Sequence, residues 1–305
     1  MAKRLSFYKF DRALVSGRIP MEQLSEYVCL DELSPVPQLI FRADALTDTP
    51  PASYDLDDRI YQYLRSRRER ERFRNETYTY LSAKSVVAEG DSWFDLPGFL
   101  NRLAIADWID EHRRLRMNNI ARWGHTLEQI VAKREYITVL KRDKPDFFMF
   151  GAGGNDLQES LAKGDLLYTY QAGRLPADYI TPTGMALFAR IETTLASVYQ
   201  EVSGLYPAMR IFCHGYDYPR PEVGRGRYIG QYLTALGIPD ADAPAIVAAI
   251  IDELNQRVRN AAVSYPSVTY LDCRRATKAY TWRDDMHPSN DGFEALAKMF
   301  EDAMN

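Results

Sequence analysis

From residue 84 onward the chain alternates short apolar runs with longer amphipathic ones. The runs at 84–89, 115–121, 146–151, 210–214 and 267–272 read as buried strands, and helices are expected near 98–112, 126–141, 185–203, 244–263 and 289–303. This alternation predicts an α/β fold with a central parallel sheet covered by helices on both faces. The clearest helical stripe is Val247, Ile250, Ile251, Leu254, Val258 and Ala261, behind a first-turn Pro244, and it reads as core. Two long connections, 157–183 and 216–243, follow candidate strand ends, the rim where open sheets of this type bind ligands.

Before Lys84 the pattern is different: short apolar pieces interrupted by proline and aspartate, densest in LSPVPQLIFRADALTDTPPASYDLDD. Residues 1–83 therefore read as an N-terminal extension and 84–305 as the main domain. The extension is partly helical, with Ile60, Tyr61 and Leu64 on one face and Asp57 and Asp58 at the positive end of that helix. Glu69 and Glu71, interleaved with its arginines, suit a solvated face better than a nucleic-acid surface. Covering the crevice, pairing two protomers and directing the protein to a partner are all open roles for this segment, and the oligomeric state is not legible.

Composition narrows the class. With 305 residues, 46% of them hydrophobic and 26% charged, the chain can bury a sizeable core. A formal charge of -4 gives no global reason to bind nucleic acid or an anionic membrane. No segment reaches the roughly 18 apolar residues of a spanning helix, and the N-terminus lacks a long apolar run, so a soluble, cytoplasmic protein is expected, with export by a dedicated secretion system left open. Cys29, Cys213 and Cys273 show no CxxC spacing and read as free buried thiols.

Chemistry gathers at the predicted strand ends. In EGDSWFDLP the chain leaves a buried strand for an acidic turn holding Ser92, either a helix cap or a nucleophile. Gly124, in WGHT, is either an ordinary glycine opening a helix or a backbone donor with no side chain to block approach. In DFFMFGAGGNDL, the Asn155 amide can donate to a developing negative oxygen or cap a helix. In WRDDMHPSNDGF, Asp284 precedes His287 by three residues, so its carboxylate can fold back to Nδ1–H and leave Nε2 for a serine. Asp285, at the wrong offset, reads as solvent-facing or capping.

Together, Gly90-Asp91-Ser92, Gly124, Gly153-Gly154-Asn155-Asp156 and Asp284-Asp285-Met286-His287-Pro288 resemble the four ordered blocks of the SGNH hydrolases, also called GDSL esterases and lipases. The resemblance spans about 84–305 and departs from the commonest pattern at Trp93, where leucine is usual. It implies a three-layer α/β/α sandwich of flavodoxin-like topology, a shallow open active site and hydrolysis of esters without a metal or other cofactor. By position it implies Ser92 as nucleophile, His287 as base and then acid, Asp284 as orienting carboxylate, and an oxyanion hole from Ser92, Gly124 and Asn155. Asp91, Trp93, His214 and Tyr216 stand as candidate substrate contacts, His214 having the alternative of a locally satisfied rim histidine. His112 and His125 read as helix or surface positions.

The substrate classes this leaves are a small-molecule ester, a lipid and an acylated glycan. Acyl transfer to another alcohol and a non-catalytic binding role are alternatives on the same scaffold. Trp93, Phe94, Leu96 and Phe99 either form an apolar acyl pocket or pack the first helix, while Arg220, Arg225 and Arg227 either meet an anionic substrate group or sit on a solvated loop. No G-x-S-x-G, G-x-x-x-x-G-K-[ST] or H-E-x-x-H motif supports another mechanism.

Overall fold

The computed structural model describes residues 4–31, 34, 38–75, 84–112 and 114–305. The chain divides into two compact units, one of Met1–Ala83 with Pro97–Arg102, the other of Lys84–Leu96 with Leu103–Asn305.

In the first unit, helices α1 (Phe7–Val15) and α2 (Met21–Tyr27) lead into an antiparallel pair, β1 (Val28–Leu30) and β2 (Leu39–Phe41), and a long helix α3 (Leu56–Asn75) closes it. Its small core forms around Phe10, whose ring lies 5.4 Å from Tyr27 and 5.1 Å from Phe41. Ile60, Tyr61 and Leu64 of α3 are buried, as their spacing predicts. Asp57 accepts the Leu39 N–H at 3.1 Å, and Glu69 pairs with Arg65 at 3.7 Å. Pro35, Pro37 and the Glu71 side chain lie outside the described residues. The turn Gly98–Leu100 belongs to this unit, and Phe99 in it is buried.

The second unit runs β3 (Ser85–Gly90), α4 (Ile105–His112), β4 (Arg116–Asn119), α5 (Leu127–Lys133), α6 (Glu135–Asp143), β5 (Phe147–Gly151) and α7 (Gly154–Ala162). It continues through α8 (Pro182–Leu205), β6 (Arg210–His214), α9 (Gly230–Ala235), α10 (Ala243–Val263), β7 (Val268–Leu271) and α11 (Asn290–Met304). All five strands pair in parallel, in the order β4-β3-β5-β6-β7. Strand parity assigns the layers. Phe148 and Phe150 meet Tyr136 of α6, and Phe150 also meets Tyr199 of α8, while His214, on the opposite parity of β6 from Cys213, meets Phe300 of α11. The result is the expected α/β/α sandwich. After β4 the chain crosses back over β3 to form β5, which makes the C-terminal ends of β3 and β5 the point where the strand order reverses and a crevice opens.

The strand and helix expectations hold except at three places. The helix expected over 98–112 is a short turn followed by α4, because Asn101 adopts a left-handed backbone with φ 56°. The helix expected over 126–141 is two helices broken at Arg134, φ 50°. The segment after the glycines of FGAGGND was expected as a connection and instead forms α7, with Gly153 in the left-handed region at its N-cap. Cys29, Cys213 and Cys273 are free thiols; Cys213 and Cys273 are buried as expected, whereas Cys29, on the two-stranded β1–β2 pair, is only partly buried. Among the described residues no helix is long and apolar enough to cross a membrane.

Candidate active site

Two strand ends that finish in glycine make room for the site. Gly90 and Gly151 are register partners at the ends of β3 and β5. A Cβ on Gly90 would come within 2.2 Å of the Gly151 carbonyl oxygen, so the two backbones approach as closely as they do only without side chains.

Ser92 lies in the turn that leaves β3. The turn is closed by the Phe94 and Asp95 N–H groups donating to the Asp91 carbonyl, each at 3.1 Å, and by Asn119 of β4, whose amide donates to the Phe94 carbonyl at 2.9 Å. His287 Nε2 stands 2.9 Å from Ser92 Oγ. On the other side of the same ring, Nδ1 is 2.9 Å from Asp284 Oδ1. The backbone N–H groups of Met286 and His287 donate to that same oxygen at 3.0 and 2.8 Å, so the loop wraps its own carboxylate before the imidazole is added. Burial pushes the Asp284 carboxyl up, but the charge of His287 and these donors outweigh it and hold it down at about 2.

Asn155 is the second residue of α7. Its amide donates to the His125 carbonyl at 2.9 Å, which ties the turn after β4 to the turn after β5. The alternative of Asn155 as a helix cap is not what forms, since Gly153 holds that position. Gly124, one residue before His125, has φ 77°, a conformation that favours glycine; it lies outside the pocket wall. Asp156 Oδ2 accepts the Leu127 N–H at 2.8 Å and fastens α7 to the start of α5.

Asp91 and Tyr216 are joined. Asp91 Oδ1 accepts the Trp93 N–H at 2.9 Å and Oδ2 accepts the Tyr216 hydroxyl, whose oxygen in turn accepts the Gly154 N–H at 3.2 Å. Burial raises the Asp91 carboxyl to about 6 against the opposing pull of these donors. Asp91, Ser92, Trp93, Asn155 and Tyr216 all line one pocket, whose remaining wall comes from α7, α10, the connection after β6, Leu166 and Met286.

Two expectations are corrected, His214 as a substrate contact and a shallow site, and the alternatives open for Asp285, the aromatic cluster and the loop arginines are resolved. Asp285 takes the capping alternative and not the solvent-facing one: it is 2% exposed and accepts the Tyr228, Ile229 and Gly230 N–H groups at 3.0, 2.7 and 2.8 Å where the chain enters α9. His214 is 1% exposed and does not line the pocket. It stacks on Trp93 at 5.5 Å and packs against Phe94 and Phe300, its Nδ1 bonds the Gly215 carbonyl at 3.1 Å, and burial lowers its pKa to about 4. The site is also not shallow: Ser92 is 2% exposed and His287 0%. Of the aromatic cluster, Trp93 lines the pocket, while Phe94 is fully buried against His214 and Phe300. Finally, Arg220 donates to the Tyr280 carbonyl at 2.8 Å and Arg227 lies over the Tyr228 ring, so neither reaches into the pocket wall. His112 ends α4 and pairs with Glu301 at 3.1 Å.

Sequence reasoning missed Asn119 and Asn255. Asn255 Oδ1 accepts the Tyr216 N–H and its Nδ2 donates to the Tyr216 carbonyl, both at 2.8 Å. A polar residue on the apolar α10 stripe was the available signal. Among the described residues no group of three or more His, Cys, Asp or Glu is gathered as a metal site.

No family model matches the chain, and no curated protein matches it. Among solved structures it is similar to an α/β hydrolase enzyme from the metagenome of Lake Arreo, Spain, at 20% identity and TM-score 0.46, covering 74% of this chain and 97% of that one. It is similar to an extracellular lipase of Streptomyces rimosus at 18% identity and TM-score 0.47, covering 72% and 100%. A third similar structure is a catalytic mutant of an acetylxylan esterase from Geobacillus stearothermophilus, at 17% identity and TM-score 0.45, covering 74% and 96%. Each is a likeness at a TM-score below 0.5 and carries no argument for the reaction.

Proposed function

We propose that the chain is a serine hydrolase of carboxylic esters, of the SGNH type, with Ser92 as nucleophile, His287 as general base and acid, and Asp284 as the orienting carboxylate. The observation that carries this reading is the unbroken line from Ser92 Oγ to His287 Nε2 and from His287 Nδ1 to Asp284 Oδ1, 2.9 Å at each step. A serine hydroxyl is a weak nucleophile at neutral pH and needs a base within hydrogen-bond reach, itself held in one tautomer by a third group.

In the reaction, Ser92 Oγ bonds to the ester carbonyl carbon as its proton passes to His287 Nε2. The resulting oxyanion is met by the Ser92 and Gly124 N–H groups and by the second N–H of the Asn155 amide, whose first is held by His125. Nε2 then gives its proton to the leaving oxygen, the bond between carbon and that oxygen breaks, and an acyl-enzyme remains. Water attacks the acyl carbon while Nε2 takes its proton, and collapse returns that proton to Oγ and frees the acid. Asp284, kept ionised by its donors, offsets the charge on the imidazolium formed twice in the cycle. Each oxyanion donor contributes on the order of 10²–10³ in kcat.

The test is hydrolysis of a nitrophenyl ester by the full chain and by Ser92→Ala. A loss of roughly 10⁴-fold or more, with the thermal melt unchanged, is expected. Equal rates in the two proteins contradict the reading.

A further inference from the structure

The pocket beside Ser92 is polar at its catalytic end and, beyond that, at Gln158 of α7, whose amide donates to the Tyr228 carbonyl at 3.5 Å. Asn155, Leu157 and Leu161 of α7 recur along one wall, and Val247, Ile250, Ile251 and Leu254 of α10 form another. On α7 the lining positions Gly154, Leu157, Gln158 and Leu161 recur at three and four residues, as Val247, Ile250, Ile251 and Leu254 do on α10, so each helix presents a single continuous face to the pocket. From Gly154 to Leu161 that face runs ~10 Å at the helical rise per residue. Leu166 and Ile229 add further aliphatic wall.

This wall offers no cation to a charged group. Asp91, its one carboxylate, is already occupied by the Tyr216 hydroxyl and the Trp93 N–H. A phosphate or carboxylate placed among these leucines and isoleucines would lose its water without gaining an opposite charge, and beyond the catalytic end a glycan would meet a single side-chain amide, Gln158. The α10 stripe therefore does more than fill the core, as its spacing alone suggested.

The direction of the pocket assigns it to the acid half of the ester. Ser92 and Asn155 line it, whereas from the loop that carries the histidine only Met286 reaches it and His287 and Asp284 do not. The leaving oxygen must sit by His287 Nε2 to receive its proton, so the alcohol departs on the histidine side and the acyl chain takes the pocket.

We propose that the site selects esters of medium-chain fatty acids, with the alkyl chain between α7 and α10. An extended alkyl chain advances ~1.3 Å per carbon, a little under one C–C bond, so ~10 Å accommodates on the order of six to ten carbons. This specificity rests on Ser92 being the nucleophile.

The experiment is a series of nitrophenyl esters from acetate to palmitate with the full chain. kcat/KM rises by roughly fourfold per methylene over the first members, as apolar burial dictates. It peaks between hexanoate and decanoate and falls by palmitate. Ile250→Trp narrows the pocket and lowers the octanoate-to-acetate ratio by about tenfold or more, a transition-state difference read as a ratio of specificity constants. Leu161→Ala lengthens the pocket and moves the peak to longer chains, and it serves if the tryptophan variant does not fold. A profile highest at acetate, or one that neither folded variant moves, overturns the acyl assignment while Ser92 still acts. Absence of turnover at every length, equal to Ser92→Ala, overturns both.

Discussion

The Tyr216 hydroxyl donates to Asp91, the residue before the proposed nucleophile, and accepts from the first N–H of α7, the helix that carries Asn155. One phenol thus sets the spacing between the turn holding Ser92 and the helix holding the proposed oxyanion donor. Its own backbone is clamped from α10 by Asn255.

Tyr216→Phe leaves Asp91 Oδ2 and the Gly154 N–H without this partner. Burying unsatisfied groups costs roughly 1–3 kcal/mol. Chemical denaturation is expected to show that loss, together with a fall in kcat that exceeds any change in KM, since the hydroxyl touches the positioning of the site and not the acyl chain.

Asp285→Ala removes the acceptor for three consecutive N–H groups at the start of α9. A destabilisation on the order of 3 kcal/mol is expected. Because Ile229 lines the pocket, the connection after β6 should also become the first site of limited proteolysis, detectable as cleavage between residues 216 and 230. Asp285→Asn, which keeps one acceptor oxygen, should lose less.

His214 makes stability fall in acid. Burial lowers its pKa to about 4, below the ordinary value of 6.5, so the unfolded chain binds a proton that the folded chain refuses between those two pH values. Asp91 acts oppositely: with its carboxyl raised to about 6, its contribution falls as pH rises from about 4 to 6. Comparing the wild type with His214→Phe isolates the histidine. The stability advantage of the variant should grow as pH drops from 6.5 toward 4, read from melts across that range.

The strands of the sheet were legible because each is a short apolar run bounded by polar turns, and burial on both faces leaves that signature intact. The candidates Ser92, Gly124, Asn155, Asp284 and His287 could be singled out because each stands at a strand end or in a short loop beside glycine or proline, and the fold brings Ser92, His287 and Asp284 within hydrogen-bond reach. What escaped depends on partners far away in sequence. Asp285 and Asp284 are adjacent carboxylates, and only the fold turns one toward an imidazole and the other toward the backbone of residues 228–230. His214 looked like a rim residue because it ends β6, yet strand parity turns it under Trp93. The α7 helix was hidden by the glycines that open it.

Reaction with a fluorophosphonate, read by intact mass and peptide mapping, tests the central claim most directly, because only an activated serine reacts readily. The wild-type chain should take one adduct, on Ser92, and His287→Ala should label far more slowly although Ser92 is still present. An adduct that maps to another residue, or equal labelling of Ser92→Ala, would contradict the account.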